Sequence, residues 1–287
     1  MIRSAKARKK QSQDRWSLFG IVVLLTLFVG SYVFYQDVTD PLDGRNCSIK
    51  NGPTAITAIV FDKSQAYSPE QITDIKASFK SWLKGVEPSS KKRPIDLELF
   101  SVGTLLQLYV TDQGDLDQAK GLPPLVEMCI PKDSQKANEW IENEEFMKEI
   151  YDRFITAFNS QIELLLKVAD GTSPIMETFV RISNSESFLA HQGVPRNLFV
   201  VSDMLQNSDN YSHYKENQGT DWTIFEKKMA ATIYLRPRLN DVRWQVFFAK
   251  RDDPREKKLQ STRLSKFWES FFNNAGAKAR PWILIDG

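Results

Sequence analysis

Between Thr54 and the end of the chain, short apolar runs alternate with amphipathic stretches. Continuous β-branched and aromatic runs stand at 54–61 ("TAITAIVF"), 198–201 ("LFVV"), 242–248 ("VRWQVFF") and 282–285 ("WILI"), and "LLQLYVT" (105–111) reads the same way. Four to eight such residues bounded by turn formers predict buried strands. "IDLELFSV" (95–102) is read as a further strand, and "GLPPLVEMCIPKDS" (121–134) as an irregular excursion. Between the runs the apolar spacing changes to three and four. Ser68-Pro69-Glu70 opens a helix to about Lys84, with a serine cap and proline at its first position. A long helix is predicted from about Ala137 to Val168, because Phe146, Ile150, Phe154, Phe158, Ile162 and Leu165 share one face. "DGTSPIMETFVRIS" combines a turn with a helix start, "DWTIFEKKMAATIY" reads as a helix, and "LSKFWESFFNNAG" is an amphipathic helix closed by Gly276. Phe267, Trp268, Phe271 and Phe272 are placed in the core by that spacing. Apolar strands alternating with helices predict an α/β domain around a mostly parallel sheet.

The residues before Thr54 follow another pattern. Trp16 to Tyr35 carries no charge over twenty residues. As a helix rising ~1.5 Å per residue it would span ~30 Å, the depth of a bilayer core. Trp16, Tyr32 and Tyr35 stand at its edges, where amphipathic rings settle. A cleaved signal peptide is the alternative, but no A-x-A-like site follows. Residues 1–15 hold six basic groups and the single Asp14, leaving 32 basic and 35 acidic residues elsewhere out of 38 and 36. The basic character therefore belongs to a tail that would stay in the cytosol, and no nucleic-acid-binding face is expected. The organisation read is a cytosolic tail (1–15), an inner-membrane span (16–35), a turn-rich linker (36–53) and one exported domain (54–287), periplasmic if the cell is bacterial. The two cysteines, Cys47 and Cys129, both fall on the exported side. They form a candidate disulfide worth roughly 4.5 kcal/mol by loop entropy, with two buried free thiols as the alternative.

In parallel sheets ligands bind at the carboxyl ends of strands, so the residues just after each apolar run are the place to look. The first run ends in Asp62 with Ser64 two positions on, and the run at 198–201 ends in Ser202-Asp203. Between them lies Gly171-Thr172-Ser173 at a turn into a helix. Two carboxylates with hydroxyls form a hard-oxygen set suited to Mg²⁺, with Mn²⁺ or Ca²⁺ as alternatives. The same residues could equally cap turns and helices.

This order resembles the metal-ion-dependent adhesion site of von Willebrand factor A domains, whose pattern is D-x-S-x-S, then T, then D-G. The resemblance covers roughly residues 54–287 and extends to poorly characterised bacterial membrane-anchored proteins carrying such a domain. It implies Mg²⁺ held by Asp62, Ser64, Thr172 and Asp203, with Ser173 or Ser202 as additional ligands. Ala66 stands where the second serine would be, and Met204 where the glycine would follow. The implied work is recognition of a protein partner, whose carboxylate would complete the ion's coordination.

A metal-dependent phosphohydrolase using Asp62 and a scaffold with a decayed metal site are the alternatives. No G-x-S-x-G, G-x-G-x-x-G or Walker loop is present, so catalysis is not the expected role. His191 and His213 lie in no metal-ligand spacing and are read as surface residues. The polar stretch "NSDNYSHYKENQGTDW" after Asp203 is read as a partner-contacting loop.

Overall fold

The computed structural model describes residues 24–31, 41–87, 95–111, 121–133, 143–166, 171–191, 193–215, 219–229 and 236–285. The chain divides into two units, Met1–Pro41 and Leu42–Gly287. In the first, residues 24–31 are helical and exposed. The basic tail and most of the proposed span fall outside the described residues. Among those described, no helix is long and apolar enough to cross a membrane.

The second unit is a mixed α/β domain with a central, mostly parallel sheet. Its strands are β1 (Ala55–Phe61), β2 (Thr104–Val110), β3 (Val126–Cys129), β4 (Arg196–Ser202), β5 (Arg243–Phe248), β6 (Lys278–Ala279) and β7 (Ile283–Leu284). They lie in the order β3-β2-β1-β4-β5-β6, with β7 also pairing β5. Every pair is parallel except β2–β3. The helices are α1 (Pro69–Leu83), α2 (Glu144–Leu166), α3 (Ile175–Ser183), α4 (Glu186–Leu189), α5 (Trp222–Met229), α6 (Pro254–Leu259) and α7 (Thr262–Asn274).

Strand side chains alternate between two cores because successive residues point to opposite faces. Ile56, Ala58 and Val60 of β1 join Met176 and Phe179 of α3 and Phe267, Trp268, Phe271 and Phe272 of α7. Ile59 and Phe61 join Phe79 and Trp82 of α1 and Phe154, Phe158 and Ile162 of α2. The second core centres on rings. Trp82 meets Phe247 edge-on at 5.0 Å and Phe199 at 5.4 Å, a geometry that adds to the gain from burial.

Two predicted elements come out differently. Residues Leu97–Phe100 form a 3-10 helix instead of a strand, because the Asp96 side chain accepts the Glu98 N–H and caps a turn. The stretch read as irregular contains β3, whose four residues pair antiparallel with β2, Leu105 opposite Cys129. Cys47 and Cys129 are bonded, with Cα atoms 5.0 Å apart across 82 positions. The Cys129 N–H also donates to the Arg45 carbonyl at 2.7 Å, so the entry to the domain is fastened to its edge strand.

Candidate functional site

The strand order reverses direction between β1 and β4. From β1 the chain goes outward to β2 and β3, and from β4 it goes the other way to β5 and β6. Such a switch point opens a crevice at the carboxyl ends of the two strands. Register fixes what stands there. Phe61 lies opposite Val201, and the Asp62 N–H donates to the Val201 carbonyl at 3.0 Å. Asp62 and Ser202-Asp203 therefore leave the sheet side by side, on one rim.

Asp62 is fully buried and gathers donors from four segments. Its Oδ2 accepts the Ser202 hydroxyl at 2.8 Å and the Ser173 hydroxyl at 2.9 Å. Its Oδ1 accepts the Ser64 N–H at 3.0 Å and the Thr111 hydroxyl at 3.4 Å. These bonds take the place of lost hydration and allow a carboxylate to remain at the head of an apolar strand. In the second loop the residue that reaches it is Ser173, buried at 1% exposure, while Thr172 stands exposed. Ser64 is 8% exposed and lines the mouth of the site.

Asp203 faces another neighbour. Its Oδ1 accepts the Leu205 N–H at 2.9 Å, and its Oδ2 accepts Nε of Arg251 at 2.6 Å. The side chains are 1% and 6% exposed. Burial pushes the Asp203 carboxyl up to about 6 against the pull of Arg251, with Asp62 adding to the rise. Burial disfavours the charged guanidinium too, but Asp203 outweighs this and holds Arg251 above its ordinary value.

The site's remaining parts fix Arg251 in place. Its Nη1 donates to the Ala66 carbonyl at 3.2 Å, and its Cζ lies 5.6 Å from the centre of the Tyr67 ring. The Tyr67 hydroxyl shares its one proton between the carbonyls of Val201 and Asp62, at 2.9 and 3.1 Å. Gln260 accepts the Arg251 N–H at 2.9 Å and donates to the carbonyls of Ala249 and Asp203. Gln71, at the N-terminus of α1, donates to the Lys250 carbonyl.

As arranged, this set does not fit a divalent ion. Two of its four proposed oxygen ligands are committed, Asp62 to four donors and Asp203 to a guanidinium. A third, Thr172, is replaced inside the site by Ser173. Met204, which stands at the glycine position, has φ 57°, the left-handed region that glycine enters without cost. Burial of its side chain and a 2.8 Å bond from Trp268 Nε1 to its carbonyl hold it there.

A polar cavity of about 350 Å³ is lined among others by Ser64, Gln65, Ser173, Asn207, Arg255 and Glu256. Glu256 accepts the Tyr214 hydroxyl at 3.0 Å and the Gln65 amide. Arg255 is exposed at the mouth, 5.5 Å over the Tyr214 ring.

The segment after Asp203, read as a loop, is in part buried, with Asp209, Asn210, Lys215 and Asp221 exposed. Tyr211, Ser212 and His213 are at most 1% exposed. The buried carboxylate of Glu177 pins the segment by accepting from Gln206, Ser208 and Asn210. His213, read as a surface residue, lies against Phe267 at 4.8 Å. Residues 216–218 of that stretch lie outside the described residues. Arg251 was missed, although its signal was present: it follows the apolar run of β5 by three positions, the place the strand-end rule points to.

No protein-family model matches the chain, and no curated protein matches it. Among solved structures, a match is the crystal structure of an aerotolerance-related membrane protein from Bacteroides fragilis NCTC 9343 with multiple mutations to serines. It shares 10% identity over 77% of this chain and 98% of that one, with a TM-score of 0.27.

Proposed function

We propose that this protein is a membrane-anchored von Willebrand A-like binding domain that recognises a protein partner at the carboxyl rim of its sheet. The anchor is the uncharged span 16–35, with the basic tail in the cytosol and the domain on the far side of the membrane. The observation that carries the reading is the convergence on Asp62. Hydroxyls from Ser173 and Ser202 meet it at 2.9 and 2.8 Å, bringing the three loops of the adhesion-type pattern to one switch point. Ser173 and Ser64 also line the cavity. Asp62 has four donors and no exposure, which suits a hub that shapes a recognition surface better than the nucleophile of a phosphohydrolase.

Affinity capture from membranes with the full chain as bait tests this reading. Arg255→Glu, an exposed change at the mouth of the cavity, is expected to lose the partner while leaving the melting temperature unchanged. Capture unaffected by both Arg255→Glu and Gln65→Glu would remove the rim from the account.

A further inference from the structure

The rim carries a cation of its own. Arg251 leaves the sheet at the end of β5, next to β4, and its guanidinium joins two of the loops that the adhesion-type pattern assigns to an ion. Nε meets Asp203 of the third loop at 2.6 Å, and Nη1 meets the carbonyl of Ala66 in the first loop at 3.2 Å. Ala66 is itself the position at which the pattern has its second serine. Missing hydroxyl and added guanidinium thus fall at one place.

We infer that Arg251 stands in for the divalent ion, so that this rim is assembled permanently and works without metal. Charge supports the substitution. Asp62 and Asp203 are two buried carboxylates on one rim, and positive charge beside such a pair offsets the repulsion between them. Arg251 supplies one positive charge, its guanidinium held by the Asp203 carboxylate, the Ala66 carbonyl and the Tyr67 ring, while Gln260 accepts its backbone N–H. A divalent ion entering here would have to displace a guanidinium from a 2.6 Å ion pair or sit beside it against its charge. The first costs that ion pair, and the second leaves Asp203 bound to Arg251. An ion-bearing rim varies with metal supply, and this one would not.

The inference rests on the adhesion-type reading of the rim, but its test reads ion affinity and not partner capture, so each can fail alone. The full chain in detergent is stripped with chelator and melted with and without 10 mM Mg²⁺ or Mn²⁺, following tryptophan fluorescence; Mn²⁺ binding is measured in parallel by electron paramagnetic resonance. Wild type is expected to show no shift in melting temperature and no bound Mn²⁺. Arg251→Ala is expected to melt lower in chelator and to recover several degrees on adding Mn²⁺, because Asp203 is released to the ion. Arg251→Met combined with Asp203→Asn removes both charges and is expected to remain folded and insensitive to metal. Mn²⁺ bound by wild type and lost in Asp203→Asn would overturn the inference. So would a folded Arg251→Ala that ignores the metal. If Arg251→Ala does not fold, the wild-type Mn²⁺ measurement decides alone.

Discussion

His213 is surrounded by Tyr211, Phe267 and Trp268, with ring centroids 5.8, 4.8 and 5.9 Å away. Its Nδ1 accepts the Gln206 N–H at 3.2 Å, so the neutral ring carries its proton on Nε2. Burial lowers its pKa to about 3, although a contact with the Met204 backbone favours the charged form. The unfolded chain takes up this proton near pH 6.5, the folded chain only near 3, so stability is lost as pH falls between these values. At pH 4.5 the loss amounts to roughly 2–3 kcal/mol. Asp203 runs the other way: its carboxyl is raised to about 6, so acidification below that value relieves a cost of folding. The difference between wild type and His213→Asn isolates the histidine. Asparagine keeps an acceptor for Gln206 but loses the ring, so the variant should be less stable by about 2–3 kcal/mol at pH 7.5. By pH 4.5 most of that gap should close in urea denaturation; a gap constant with pH would mean that the histidine titrates normally.

Strands β1, β4 and β5 were legible as elements because each is buried on both faces and so reads as an unbroken apolar run. β3 was hidden because it is four residues long, pairs only at an edge and follows Pro123-Pro124. The 3-10 turn at Leu97–Phe100 was hidden because Ile95, Leu97 and Leu99 alternate as a strand would, and one aspartate cap decided between the two. The disulfide acts at this scale, joining the domain's entry to β3. Cys47→Ser with Cys129→Ser is expected to cost about 2–5 kcal/mol in chemical denaturation; an effect below 1 kcal/mol would mean that the bond constrains little. The end of α7 is a second test. Gly276 has φ 80°, and an added Cβ would come within 2.3 Å of Asn240 Oδ1 and 3.2 Å of its Cα. Gly276→Ala should therefore destabilise by more than the ~1 kcal/mol of the left-handed backbone alone, and a neutral result would show that this turn can relax.

For the molecule as a whole, the sheet class and the common rim of Asp62 and Asp203 could be read from the chain, because strand ends in a parallel sheet share a side. What occupies that rim could not. Ser173 and Thr172 are adjacent in sequence, and only the turn geometry decides which of them faces inward. Arg251 lies 48 positions from Asp203, and no local pattern links them. A guanidinium 6% exposed beside a carboxylate 1% exposed joins the exits of β4 and β5 and thereby closes the site. Removing one partner leaves a buried charge alone, at about 3–5 kcal/mol, whereas neutralising both costs far less. The most direct measurement is a double-mutant cycle on the full chain with Asp203→Asn, Arg251→Met and their combination, by denaturation at pH 7.5. The account predicts a favourable coupling of about 2 kcal/mol or more, with the double variant at least as stable as either single one. Additive effects within about 0.5 kcal/mol would contradict it.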